Sequence, residues 1–261
     1  YGLNISVQQI AEVGLPGLIV SFGVVISVLV VGTFIGTRVL KLDRDTSILT
    51  AAGSAICGAA AVLAFESTLK AAPHKSAVAV ATVVLFGTIS MFLYPLAYQL
   101  GWINLDPRAF GIFLGGTVHE VAQVVGSASN IGPETTEVAT IVKMTRVAFL
   151  VPLLIILGIW LQRSASMARA PGEAKPKLPI PWFAIFFLVF ALINSANIIP
   201  LNVLQTIRSL DIFALTMAMT ALGIETHFSK MRQAGPKVLL LAFILFVMLA
   251  FGGYALVKFA I

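Results

Sequence analysis

Charge is scarce in this chain. Lys, Arg, Asp and Glu make up 11% of its 261 residues and apolar residues 59%, against about 25% and 45–50% in soluble domains. That balance excludes a soluble globular fold. Cysteine is nearly absent: Cys57 stands alone, so an intramolecular disulfide is excluded. Histidine occurs three times, at His74, His119 and His227, too few and too scattered for a metal centre. Basic residues nowhere interleave with aromatics on a soluble face. The net charge of +6 is therefore no sign of nucleic-acid binding. No Met or signal sequence precedes Tyr1, and the chain reads as a piece of something longer.

What is present are long apolar runs separated by short polar punctuation. A helix of about 20 apolar residues spans the hydrocarbon core, because each backbone polar group must find its partner within its own segment. The sequence predicts an all-α, polytopic membrane protein with eight spans, at 15–36, 46–69, 76–100, 108–128, 137–161, 179–200, 207–226 and 237–258. The whole chain, 1–261, forms one transmembrane domain. The Pro-rich stretch 162–181 reads as a cytoplasmic linker between two helix groups. If every span crosses once, Arg38, Lys41, Arg44, Arg108, Arg163, Lys230 and Lys237 share one side. Lys70, Lys75, Arg208 and Lys258 lie on the other, with acidic Glu134 and Glu137. The more basic side is cytoplasmic.

Two spans are rich in small residues, Ala51–Ala61 and Leu215–Gly223. They are predicted to be discontinuous helices that cross near the midplane as partners in an inverted repeat, with freed backbone N–H groups facing a substrate. Ser54, Cys57 and Gly58 in the first and Thr220 in the second then line the site. Ordinary close helix packing is the alternative reading for both spans, and for Cys57. A competing match pairs Gly53, Ala60 and Val62 with Gly115, Ala122 and Val124.

Four ionisable residues fall inside spans, where each costs about 2.5–3.5 kcal/mol unless it faces protein or water. His119, Gln123 and Ser127 form a stripe at i, i+4 and i+8 with Glu120 beside it. Lys143 and Arg146 share a face three residues apart. Pairing Glu120 with Lys143 or Arg146 leaves one cation over. A surplus cation near the midplane suits a small anion: the Arg146 fork and Lys143 would bind it, with His119 and Gln123 alongside. Glu120 and His119 would carry a coupling proton. A buried structural ion pair is the plainer reading of the same residues. A passive anion channel uses buried charges too. An intramembrane metalloenzyme built on His119-Glu120 would need a second His where Gln123 stands.

The strings Ala52–Ala61, Phe86–Pro95, Gly116–Val124, Val142–Val147 and Ala218–Gly223 resemble the bacterial sulfate exporter family, the YeiH-like inner-membrane proteins. The resemblance runs over essentially the whole chain. It implies a multi-pass transporter of the bacterial inner membrane, exporting sulfate or related anions such as sulfite or organosulfonates, with no enzymatic activity and no cofactor. It also implies kinship with the bile-acid symporter and cation–proton antiporter superfamily. Those proteins have a core with two crossing broken helices (here 46–69 and 207–226), a separate scaffold and elevator-like motion. The family carries further N-terminal helices that this chain lacks. Expected partners are the anion, the bilayer and, for an elevator, a second copy in a homo-oligomer.

Overall fold

The computed structural model describes residues 3, 6–167, 182–196, 198–225 and 235–261. Among these there is helix and no strand. Helix α1, Val7–Phe34, kinks at Gly14 and widens into a π-helical turn at Ile35–Val39. Then come α2 (Arg44–Ala55), α3 (Ala59–Leu69), α4 (Pro73–Gln99), α5 (Pro107–Thr117) and α6 (Val121–Ala128). Next are α7 (Pro133–Ala148), α8 (Leu150–Met167), α9 (Trp182–Ser195) and α10 (Leu201–Glu225). Helix α11 (Pro236–Val247) runs through a second π-helical turn, Met248–Gly252, into α12 (Gly253–Ala260).

The starts are written in the sequence. Asp43 caps α2 by accepting the Thr46 N–H at 3.2 Å, and Asp106 caps α5 through Ala109 N–H at 2.9 Å. Short polar side chains at this position satisfy donors the helix cannot. Pro opens α4, α5, α7 and α11, where its missing N–H costs nothing.

Among the described residues four stretches are long and apolar enough to cross a membrane: Gly14–Val39, Pro73–Gln99, Pro133–Leu161 and Pro236–Ala260. They match the predicted spans 15–36, 76–100, 137–161 and 237–258. The segments 46–69 and 108–128 do not cross. Both turn back on themselves. Lys75, at the start of α4, bonds Asp43 at 2.6 Å and Asp45 at 3.1 Å at the start of α2, so both ends of 44–69 lie at one end of the bundle. A Cβ on Gly53 would stand 2.7 Å from Val62 and Val83, so α2 lies against α3 and the first half of α4. Likewise Thr135, opening α7, donates to the Pro107 carbonyl at 3.0 Å. Gly111 and Gly115 lie against α7 in ascending order, near Thr135 and Val138, then Ala139 and Val142. Helices α5 and α7 therefore run parallel, and α6 must return the chain to the end it came from. Gly87 and Gly126 record that return, touching Gln123 and Met91 respectively.

Two helical hairpins thus enter the bundle from opposite ends. At 1.5 Å per residue, the 12 residues of α2 and 11 of α3 reach about 16–18 Å, about half of a 30 Å hydrocarbon core. Their reversal redistributes the charges. Arg38, Lys41, Arg44, Lys70, Lys75 and Lys237 gather at the end where α1 finishes, with Arg44 over the Trp160 ring at 4.3 Å. Arg108 and Lys258 lie at the other, with Asp106, Glu134 and Glu137. The earlier sides of Lys70, Lys75 and Arg108 are thereby corrected.

The second predicted discontinuity is also corrected. Residues 207–225 belong to one continuous helix, α10, and residue 226 lies outside the described residues. Thr and Met at 216–220 keep i→i+4 bonding intact. Residues 108–128 are interrupted too, at Val118–Glu120. Of the expected linker, 162–167 continue α8 and 168–181 lie outside the described residues. The stretch 179–200 contributes α9, from Trp182 to Ser195.

Candidate functional site

The two hairpin tips, Ile56–Gly58 and Val118–Glu120, meet in the middle of the bundle against α7 and α4. Each tip is a C-terminus followed directly by an N-terminus. Helix α2 ends because Ile56 leaves the helical region and Gly58 takes φ 73°. Helix α5 ends because Val118 and Glu120 are extended. A helix end leaves carbonyls or N–H groups without partners, and here both kinds are buried.

Lys143 and Arg146 receive the carbonyls. Both are fully buried, at 0% exposure. The Lys143 ammonium donates to Ile56 O at 2.8 Å, Val118 O at 2.8 Å and His119 O. The Arg146 Nε donates to Ala55 O at 3.1 Å. Its Nη1 donates to Gly115 O at 3.1 Å and Val118 O at 3.2 Å. Its Nη2 donates to Ser54 O at 3.1 Å and Ala55 O at 2.5 Å. Guanidinium has five N–H donors and ammonium three, and every one is engaged. The two cations neutralise the negative ends of α2 and α5 and tie the tips to one face of α7.

Glu120 takes the opposite poles. Its Oε1 accepts the Ala59 N–H of α3 at 3.2 Å. Its side chain also accepts the third N–H of α6, in a capping box that Gln123 Oε1 completes by accepting the Glu120 N–H at 3.1 Å. One carboxylate therefore sits on the positive ends of two helices. Gly58 is required beside it: its Cβ would be 2.8 Å from Glu120 Oε1 and would sit on Cγ, at a φ that L side chains rarely adopt. Gly87 likewise makes room for the Gln123 amide, whose Nε2 donates to Thr88 Oγ1 at 3.4 Å. The buried His119 Nδ1 and Ser127 Oγ have no partner.

The structure brings together His119, Glu120, Gln123, Lys143, Arg146, Ser54, Cys57 and Gly58. Ser54 takes part through its carbonyl, and Cys57 lies buried at the first tip. Thr220 is not brought in. It is exposed on α10 and bonds the Thr216 carbonyl of its own helix at 2.8 Å. Among the described residues no ion pair joins Glu120 to Lys143 or Arg146. Both cations, including the one that charge counting left over, are matched by carbonyl oxygens instead, so the Arg146 fork is not open to an anion in this geometry. Gln123, at the place a zinc motif needs its second His, is engaged in the capping box. Sequence reasoning missed Ala59, Gly87 and Thr88. A Gly-Thr pair inside an apolar span was the available signal.

Crossing helices around two half-depth hairpins, with buried charges where the tips meet, define a polytopic helical membrane protein. The comparisons agree. The chain belongs to the family described as Conserved hypothetical protein 698, whose profile matches residues 1–242. A UPF0324 membrane protein of Bordetella bronchiseptica is 68% identical over 260 residues, covering 100% of this chain and 80% of that protein. One of Pseudomonas putida is 60% identical over 256 residues, covering 98% of this chain and 72% of that protein. The UPF0324 inner membrane protein YeiH of Escherichia coli is 46% identical over 256 residues, again 98% and 72%. No solved structure matches the chain significantly.

Proposed function

We propose that this chain is the transport core of a multi-pass secondary transporter of the bacterial inner membrane. It carries a small anion such as sulfate, sulfite or an organosulfonate, coupled to a proton or ion through Glu120 and His119. The single observation that carries the reading is the meeting of two interrupted hairpins around buried, compensated charges. Broken helices offer backbone poles to a solute at mid-depth, where a continuous helix offers none. The units α2–α3–α4 and α5–α6–α7 each consist of a hairpin and the helix after it, entered from opposite ends. This supports an inverted repeat and elevator-type alternating access. The basic end, with Arg38, Lys41, Arg44, Lys70, Lys75 and Lys237, is cytoplasmic on this reading.

The anion site is the α3 and α6 N-termini with Gln123 and Thr88, lying in the field of Lys143 and Arg146 and not in their grip. The test is uptake of labelled sulfate, sulfite, taurine and small carboxylates into proteoliposomes. Saturable, protein-dependent uptake of at least one anion is expected. Flux that rises linearly without saturation indicates a channel, and none at all contradicts transport.

A further inference from the structure

We infer that the anion and a proton are taken up together, the proton on Glu120 and the anion on the N–H groups that the Glu120 carboxylate now occupies. The inference rests on the anion-transporter reading above and gives it a sign: symport.

The anion and the Glu120 carboxylate compete for the same donors. Lys143 and Arg146 direct every N–H at a carbonyl of the two tips. What remains for an anion at the tips are the positive ends of α3 and α6. An anionic group already sits there: the Glu120 carboxylate, on Ala59 N–H at 3.2 Å and on the third N–H of α6. Two negative charges cannot share these donors in a buried site without strong repulsion. Protonation removes the charge, weakens the carboxyl's hold on the N–H groups and adds an O–H donor. The anion therefore favours the protonated protein, and by reciprocity the anion favours protonation.

A second observation points to a ligand at the same place. His119 Nδ1, adjoining Glu120, is buried to about 99% without a partner. Orphaned polar atoms of this kind are what a bound oxyanion or its water satisfies. The surroundings of Glu120 favour it as the carrier. From the first tip comes Cys57, from α7 Lys143 and Arg146, and from its own tip His119. Helix α4 contributes Gly87 and Thr88, neither of which titrates. Helix α10, packed on α6, carries Arg208, Asp211 and Glu225 in its described part. Of the groups at the tips, Glu120 alone is an acid bonded to both N-termini. With acid outside, such a symporter moves the anion inward, opposite to the export that the family resemblance implies.

The test is calorimetric titration of the purified full chain with sodium sulfate, between about pH 5.5 and 8, in buffers of different protonation enthalpy. The expected result is uptake of one proton per sulfate, with affinity falling about tenfold per pH unit on the alkaline side. In Glu120→Gln the proton uptake and the slope should vanish while binding persists. Should that variant not fold, the wild-type proton count still decides. Sulfate binding with no proton uptake, with proton release, or with the slope retained in Glu120→Gln overturns the symport inference and leaves anion transport standing. No binding of sulfate at any pH, together with no uptake of any anion tested, overturns both.

Discussion

Lys75 Nζ lies 2.6 Å from Asp43 Oδ1, and this contact between the first turn of α4 and the cap of α2 fixes the topology of the first hairpin. A crossing helix of 24 residues would hold these groups at opposite faces of a membrane, about 36 Å apart. Cysteines placed at Arg44, Lys70 and Lys75, one at a time in a Cys57→Ser background, should all react with a membrane-impermeant maleimide from the cytoplasmic side. Cysteines at Arg108 and Ser129 should react from the periplasmic side. Labelling of the Arg44 and Lys70 positions from opposite sides would restore a crossing span.

Asp43 gives the same contact a pH dependence. Burial raises its carboxyl, but hydrogen bonds from Lys75 and Thr46 and the Lys75 charge outweigh that and hold it below its ordinary value of 3.8. A depressed carboxylate stabilises the folded state above its unfolded value and loses that contribution as pH falls through the folded one. Thermal stability should therefore show a component lost below about pH 4 that Asp43→Asn abolishes. The pair is partly exposed, so Lys75→Met should cost only about 1 kcal/mol or less. A scan of melting temperature against pH for the wild type and both variants checks this.

Arg146 separates a clamp from an ion pair. Arg146→Ala strands the carbonyls of Ser54, Ala55 and Gly115 in the interior, on the scale of about 3–5 kcal/mol for a broken buried pair. Arg146→Lys supplies three donors for five and should recover only part of the loss. If Glu120 were its partner, Glu120→Gln would rescue Arg146→Ala. Without that contact the double variant should be no more stable than Arg146→Ala alone. Folded yield and melting temperature of the four proteins measure this.

Gly58 and Gly101 share a positive φ, 73° and 76°, but differ in surroundings. A Cβ on Gly58 meets Glu120, whereas one on Gly101 meets nothing within 4 Å. Gly101→Ala should carry only backbone strain of about 1 kcal/mol. Gly58→Ala should add displacement of the Glu120 carboxyl and lose transport along with stability. Equal effects of the two substitutions on transport would remove Gly58 from the site.

Much of this was legible in the sequence. The apolar runs gave the crossing helices, and the four ionisable residues inside spans were the ones the structure gathers. Two features were hidden. A hairpin of two half-length apolar helices has the same length and composition as one crossing helix, so 46–69 read as a span. Its clues were Gly58 at the centre and basic residues at both ends, Arg44 and Lys70. The second hidden feature was the partner of the cations. Counting side chains left Lys143 and Arg146 with one acid, because backbone carbonyls of a broken helix carry no letter in the sequence. The small residues of Leu215–Gly223 misled for the opposite reason: Thr and Met there sit in an intact helix.

The central claim, that the protein carries an anion across the bilayer by alternating access, is tested most directly by counterflow. Proteoliposomes are loaded with unlabelled sulfate in large excess and diluted into trace labelled sulfate. The account predicts a transient accumulation of label above equilibrium that needs the internal sulfate. Label that only equilibrates, at a rate indifferent to internal sulfate, would contradict it.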